Sequence, residues 1–196
     1  MKNSTKILIG IGIFCVIILL WFVATYNSLI NLDQTVNEKW ALVENQYQRR
    51  ADLIPNLIET VKGAKNFEAD TQTKIAELRT KATQIKENVN AGNLNPQKLN
   101  QIDTEMNSVL KGINIIVEAY PDLKATENFL ALQTQLEGTE NRIATERMRY
   151  NEAIKDFNIK LKRIPSKWVA SYLNYKEREF FESNEGSEVP PKVNFE

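Results

Sequence analysis

The sequence predicts an all-α protein: a single N-terminal transmembrane helix continuing into an elongated antiparallel four-helix bundle with two long and two shorter helices. Three observations carry this. Residues 7–24 are an unbroken run of apolar residues and glycine, with no charge between Lys6 and Asp33. Beyond residue 26 the apolar side chains recur at spacings of three and four, the period of a one-faced helix, and no comparable stretch alternates as a strand would. Proline and glycine then cut this pattern into separate segments.

The first element is the anchor, residues 1–25. Its 18-residue apolar run covers ~27 Å, close to the hydrocarbon thickness of a bilayer. Trp21 and Tyr26 stand at its far end, where amphipathic aromatics favour the headgroup layer. A cleaved signal would have a shorter apolar stretch ending in small residues. This one ends Trp21-Phe22-Val23-Ala24, and Ile13-Phe14 before Cys15 do not suit a lipoprotein signal. The bilayer is thus the first expected partner, through residues 7–24. Two basic side chains, Lys2 and Lys6, precede the span and only Lys39 follows closely, which favours the large domain outside the cell.

The domain is expected over residues 26–183, with helices near 26–64, 67–91, 96–120, 123–164 and a short one over 166–182. The apolar stripe of the first runs Leu29, Leu32, Val36, Trp40, Val43, Tyr47, then Ile54, Ile58 and Val61. Pro55 falls inside it, and its missing N–H should bend the helix near Ala51. The second stripe runs from Phe67 through Ile75, Leu78 and Ile85 to Val89. Gly92-Asn93-Leu94-Asn95-Pro96 then supplies a terminating glycine, an N-cap asparagine and a proline at the first helical position. The third runs from Leu99 through Met106 and Ile113 to Tyr120, and Pro121 opens the fourth, which carries Phe129, Leu136, Ile143, Tyr150, Ile154, Phe157 and Leu161. Residues 184–196 read as a polar tail.

Helix lengths carry a geometric expectation. The first and fourth helices span ~58 and ~63 Å and the middle two ~37 Å each, so the short pair can flank only the distal part of the long pair. Arg50 and Glu140 each lie ~36 Å from the membrane-proximal end of their helix. Both fall in an apolar seam, as does Arg147; a buried arginine needs a partner, so an Arg50–Glu140 contact is expected against the alternative of a solvated face. The chain after Pro165 offers Trp168, Tyr172, Tyr175, Phe180 and Phe181. It is expected to fold back and cover the exposed stripe, or else to meet lipid with help from Lys160, Lys162, Arg163 and Lys167.

Composition excludes much chemistry. The chain has no histidine and one cysteine. That removes Ser-His and Cys-His nucleophile pairs, intrachain disulfides and Cys/His zinc sites. Carboxylate-bridged metal sites in helical bundles want Glu-x-x-His motifs, which cannot occur here. Carboxylate pairs such as Glu137 with Glu140, or Glu177 with Glu182, read as solvated faces. A formal net charge of zero gives no reason to expect nucleic acid. No cofactor, no metal and no enzymatic activity are expected.

Several stretches resemble a known family. They are Tyr26-Asn27-Ser28-Leu29-Ile30; Arg49-Arg50-Ala51-Asp52-Leu53-Ile54-Pro55-Asn56-Leu57; Pro121-Asp122-Leu123-Lys124-Ala125; Glu140-Asn141-Arg142-Ile143-Ala144 with Arg147 and Tyr150-Asn151; Phe180-Phe181-Glu182; and Pro191-Lys192-Val193-Asn194-Phe195. Together they are similar to the LemA family of bacterial membrane-anchored helical proteins, over nearly the whole chain. The resemblance implies an elongated helical bundle in the bacterial cytoplasmic membrane, with no known catalytic activity and no established ligand. It places the bundle in the cytoplasm, against the charge count. Its relatives include magnetosome-membrane proteins, and some work near membrane proteases.

The functional expectation is a non-enzymatic single-pass scaffold or partner-binding module of the cell envelope, whose partner is an unknown protein or a second copy of the chain. The alternative is an envelope-stress or lipid-sensing structural protein working with membrane protein quality control. Arg49, Arg50, Asp52, Glu140, Arg147, Tyr150 and Asn151 are candidates for a polar layer. Lys160, Lys162, Arg163, Lys167, Trp168 and Tyr172 are candidates for a membrane-proximal patch.

Overall fold

A computed structural model describes residues 3–63 and 67–181, and among them there is no strand. Six helices follow in chain order: α1 (Asn3–Lys62), α2 (Ala69–Asn90), α3 (Pro96–Glu118), α4 (Pro121–Lys124), α5 (Glu127–Lys162) and α6 (Ser166–Tyr172). The protein is therefore all-helical with one long N-terminal apolar helix. The polar tail over 184–196 lies outside the described residues.

Helix α1 is continuous from the apolar run into the domain, and it carries Pro55 without a break. The turn between α2 and α3 uses the residues the sequence offered. Gly92 and Asn93 both take the left-handed conformation, at φ 72° and 54°. Asn95 then caps α3 by accepting from the Lys98 amide at 2.7 Å, with Pro96 in the first turn. Helices α2 and α3 approach closely at Gly112, where a Cβ would stand 2.8 Å from the Leu78 side chain.

Two elements differ from expectation. The helix expected over 123–164 starts at Pro121 and is divided at residues 125–126. The Thr126 hydroxyl donates back to the Leu123 carbonyl at 2.8 Å, while the Thr126 carbonyl accepts the first bond of α5 from the Leu130 amide. The helix expected over 166–182 ends at Tyr172. Asn174 turns left-handed at φ 55°, its amide bonding Ser171 O and the Tyr175 amide bonding Ala170 O, each at 3.1 Å. This is the Schellman closure, with asparagine in place of the usual glycine. Residues 175–181 continue without regular structure.

The chain divides into two compact units. One comprises Met1–Leu42 with Met148–Glu179, the other Val43–Arg147 with Phe180–Glu196. The first unit buries Leu29 and Val36 of α1, Tyr150, Ile154, Phe157 and Leu161 of α5, and Val169 and Ala170 of α6. Trp40 packs on Tyr150 at 5.1 Å between ring centroids, and Phe157 meets the edge of Tyr175 at 5.6 Å. The segment after α6 is held by Asn158: its side-chain oxygen accepts from the Arg178 amide and its nitrogen donates to the Arg178 carbonyl, each at 3.0 Å. Arg178 in turn pairs with Asp33 of α1 at 2.8 Å.

The second unit buries Val43, Tyr47, Ile54, Ile58 and Val61 of α1, Ile75, Ile85 and Val89 of α2, Leu99, Met106, Val109 and Ile113 of α3, Leu123 of α4, and Phe129, Leu136 and Ile143 of α5. Leu123 apart, these lie on the stripes read from periodicity, of which Phe67, Leu78 and Tyr120 are only half-buried; one apolar face per helix must leave water.

Candidate functional site

The second unit has a charged cluster inside it. Arg50 enters from α1 at the position its stripe dictates, three residues after Tyr47 and four before Ile54. Its side chain is 3% exposed. Its Nη1 lies 2.6 Å from Asp103 Oδ1 and 2.7 Å from Glu140 Oε2, and its Nη2 donates to Asn107 Oδ1 at 2.6 Å. Arg147, on the same helix as Glu140, donates to the Tyr47 hydroxyl and lies 3.6 Å from Asp103 Oδ2. It also stacks over the rings of Tyr47 and Phe181, at 5.4 and 5.0 Å from their centroids. Three helices thus contribute two guanidinium groups and two carboxylates, formally neutral together.

Burial sets the electrostatics. Removal from water pushes the Asp103 carboxyl above its ordinary value; Arg50 opposes this and the neighbouring Glu140 adds to it. Burial also lowers the Arg147 guanidinium, which stays charged at neutral pH. Glu140 is 47% exposed on its side chain, but the oxygen that meets Arg50 is buried. The Nε groups of Arg50 and Arg147 are buried without a hydrogen-bond partner among the described residues. The cluster is therefore incompletely satisfied, a state that costs stability rather than adding it.

The candidate polar layer divides. Arg50, Glu140 and Arg147 come together, as the matched heights implied for the first two. Arg49 and Asp52 do not join them: both are exposed, and Asp52 pairs with Lys86 at 2.9 Å. Tyr150 lies in the other unit, buried against Trp40, and its hydroxyl is raised above its ordinary value mainly by that burial. Asn151 is half-buried in that same unit. Sequence reasoning missed Asp103 and Asn107, and took Tyr47 only as core. A signal for Asp103 existed. It sits four residues after Leu99 and three before Met106, a charge inside an apolar stripe, where Arg50 and Glu140 had raised the same question.

The membrane-proximal candidates gather at the corner between α5 and α6 in the first unit. The segment after Pro165 folds back, and of its five aromatics Phe181 is buried and Tyr175 half-buried against Phe157, while Trp168, Tyr172 and Phe180 stay exposed. Ser166, Val169 and Ala170 turn inward, while Trp168 is 66% and Tyr172 80% exposed. Tyr172 touches the edge of Phe22 on α1 at 6.3 Å between centroids. Lys160 is half-buried; Lys162, Arg163 and Lys167 are exposed, and Lys162 pairs with Glu177 at 2.9 Å. Residues 6–20 of α1 are exposed throughout, and this helix is long and apolar enough to cross a membrane. Among the described residues no three of His, Cys, Asp or Glu converge as a metal site.

Fold and site together define a helical protein with an apolar N-terminal helix long enough to cross a membrane and a buried charged cluster. A sequence model of the LemA family matches residues 39–195, and the chain belongs to that family. Among its relatives is Protein LemA of Metamycoplasma hominis, 26% identical over 91% of this chain and 76% of its own length. Magnetosome protein MamQ 2 of Paramagnetospirillum magneticum is 23% identical, over 86% of this chain and 70% of its own. MamQ of Magnetospirillum gryphiswaldense is 21% identical, over 84% and 67%.

Proposed function

We propose that the protein is a non-catalytic, single-pass scaffold of the bacterial envelope whose helical domain binds a protein partner or a second copy of itself. One observation carries the reading. A single unbroken helix, α1, bears the bare apolar run and continues into the packed interior of the domain. Such a helix serves presentation of a surface at a membrane; no step of chemistry needs it. The Arg50 cluster supports this reading, because its charges pair with one another across three helices and serve to fix register. The relatives named LemA and MamQ are consistent with a structural role.

The test is affinity purification and cross-linking of the full chain from intact membranes. A reproducible partner, or a homo-oligomer that survives dilution of tagged with untagged protein, is expected. Recovery of neither removes the reading. A carboxy-terminal reporter read on both faces of the membrane fixes the compartment from which the partner comes.

A further inference from the structure

The outward face of α6 is anomalous for a protein in water. Trp168 and Tyr172 lie four residues apart on the side opposite Ser166, Val169 and Ala170, and Ile164 in the preceding turn is 68% exposed. Three large apolar or amphipathic side chains are thus shown outward within nine residues. Their position relative to α1 is specific: Tyr172 rests on Phe22, two residues before the apolar run of 7–24 ends. Along α1 the change from bare to covered falls at the same place. Residues 6–20 and 22–24 are exposed, Trp21 is half-covered and Thr25, three residues past Phe22, is buried. The charge is also specific. Between Asp156 and Glu177 the chain has five basic residues, Lys160, Lys162, Arg163, Lys167 and Lys176, and no acidic one. Arg163 and Lys167 form no ion pair among the described residues.

We propose that the α5–α6 corner is a lipid-binding collar. Ile164, Trp168 and Tyr172 enter the interfacial layer of the bilayer that α1 crosses, and Arg163 and Lys167 bind the phosphates of anionic lipids there. The proposal rests on residues 7–24 being membrane-spanning. Continuity argues for the bilayer as occupant, since Phe22 belongs to the span and Tyr172 touches it. Side-chain chemistry argues the same way: tryptophan and tyrosine partition to the headgroup layer, and basic residues beside them gain from its negative potential. The collar adds to the scaffold reading a second hold on the membrane, one that responds to lipid composition.

The experiment uses the full chain in a Cys15→Ser background, reconstituted into vesicles of phosphatidylcholine alone or with phosphatidylglycerol. A nitroxide is placed singly by Trp168→Cys, Ile164→Cys or Val16→Cys, and its collisions with oxygen and with a polar nickel chelate are measured. Shielding from nickel at 164 and 168 is expected, greater in anionic vesicles, with deep shielding at 16. Lys167→Gln is expected to lower the ratio of docked to undocked collar about fivefold in anionic vesicles and to leave it unchanged in neutral ones. Full nickel access at 164 and 168 with 16 deep overturns the collar alone. Nickel access at 16 overturns the span, and the collar with it. Dipolar broadening at 168 that vanishes on dilution with unlabelled protein assigns the face to a second copy and overturns the lipid assignment.

Discussion

The two units each bury polar groups, and they do it by opposite means. In the unit of Val43–Arg147 buried Thr139 is neutral, but Arg50 and Asp103 form a charged pair: Arg50 shares one nitrogen between Asp103 and Glu140, and Arg147 leans on Tyr47. In the unit of Met1–Leu42 with Met148–Glu179 the buried polar residues, Thr25, Asn158 and Ser166, are all neutral, and the Asn158 amide closes both hydrogen bonds of the Arg178 backbone at 3.0 Å. The amide is the better satisfied of the two, since its donor and its acceptor each find a partner and neither carries a charge that must leave water. The charged cluster reaches three helices at once, which an amide cannot. It joins three helices at the cost of desolvation and of two unpartnered Nε groups. The difference teaches that a neutral amide can satisfy one backbone segment completely, whereas a charge shared among helices links more elements and leaves polar atoms unsatisfied.

The largest expected effect tests the charged side of this contrast. Arg50→Ala leaves the Asp103 carboxyl in the interior with only the more distant Arg147, as a poorly paired charge or as a group that must take up a proton, and should destabilise the protein by about 3–5 kcal/mol. Urea unfolding of the full chain in mild detergent reads it; a loss below about 1 kcal/mol would show that the cluster is already hydrated and not a buried pair.

Asn158→Ala tests the neutral side. It strips the Arg178 N–H and C=O of their partners and should cost about 1–3 kcal/mol. The segment 175–181 would be affected more than the helices, because it has no helical hydrogen bonds of its own. Hydrogen exchange at the Arg178 amide is the direct measurement, and protection that survived the substitution would sink the clamp.

The smallest effect is a slope rather than a loss. Burial raises the Asp103 carboxyl in the folded state, so between its ordinary value and the raised one the folded protein binds more protons than the unfolded. Stability contributed by this group is therefore greatest below the ordinary aspartate value, falls as pH rises through the window and is flat above it. Arg50, Arg147 and Glu140 all face the group, so the slope belongs to the cluster. Asp103→Asn should remove it, while Asn158→Ala should leave it untouched. Denaturation over a pH series decides; a slope that survived Asp103→Asn would place the titrating group elsewhere.

Much of the fold was legible because it depends on local rules. The apolar run of 7–24 is a matter of length and hydropathy. The Asn95-Pro96 start of α3 and the Gly92 turn follow from backbone stereochemistry that any neighbour shares. The stripes followed from the helical period. The misread elements depend on competition between near-equal local choices. Thr126 can continue a helix or bond back to Leu123, and Asn174 can extend α6 or close it. The outward turn of Trp168 could not be read either, since a seven-residue helix has two faces and periodicity does not say which one meets α1.

By itself, then, the sequence determined the class of the protein: an apolar span, a helical domain, no histidine chemistry and the motifs of the LemA family. Those are sums over residues or patterns within one helix. Only the tertiary structure decided that Asp103 joins Arg50 while Asp52 turns to Lys86, and that Val169 rather than Trp168 is buried in α6. The reason is physical. A side chain's partner lies on another helix, and its identity depends on the rotation and register of both, which no single helix specifies.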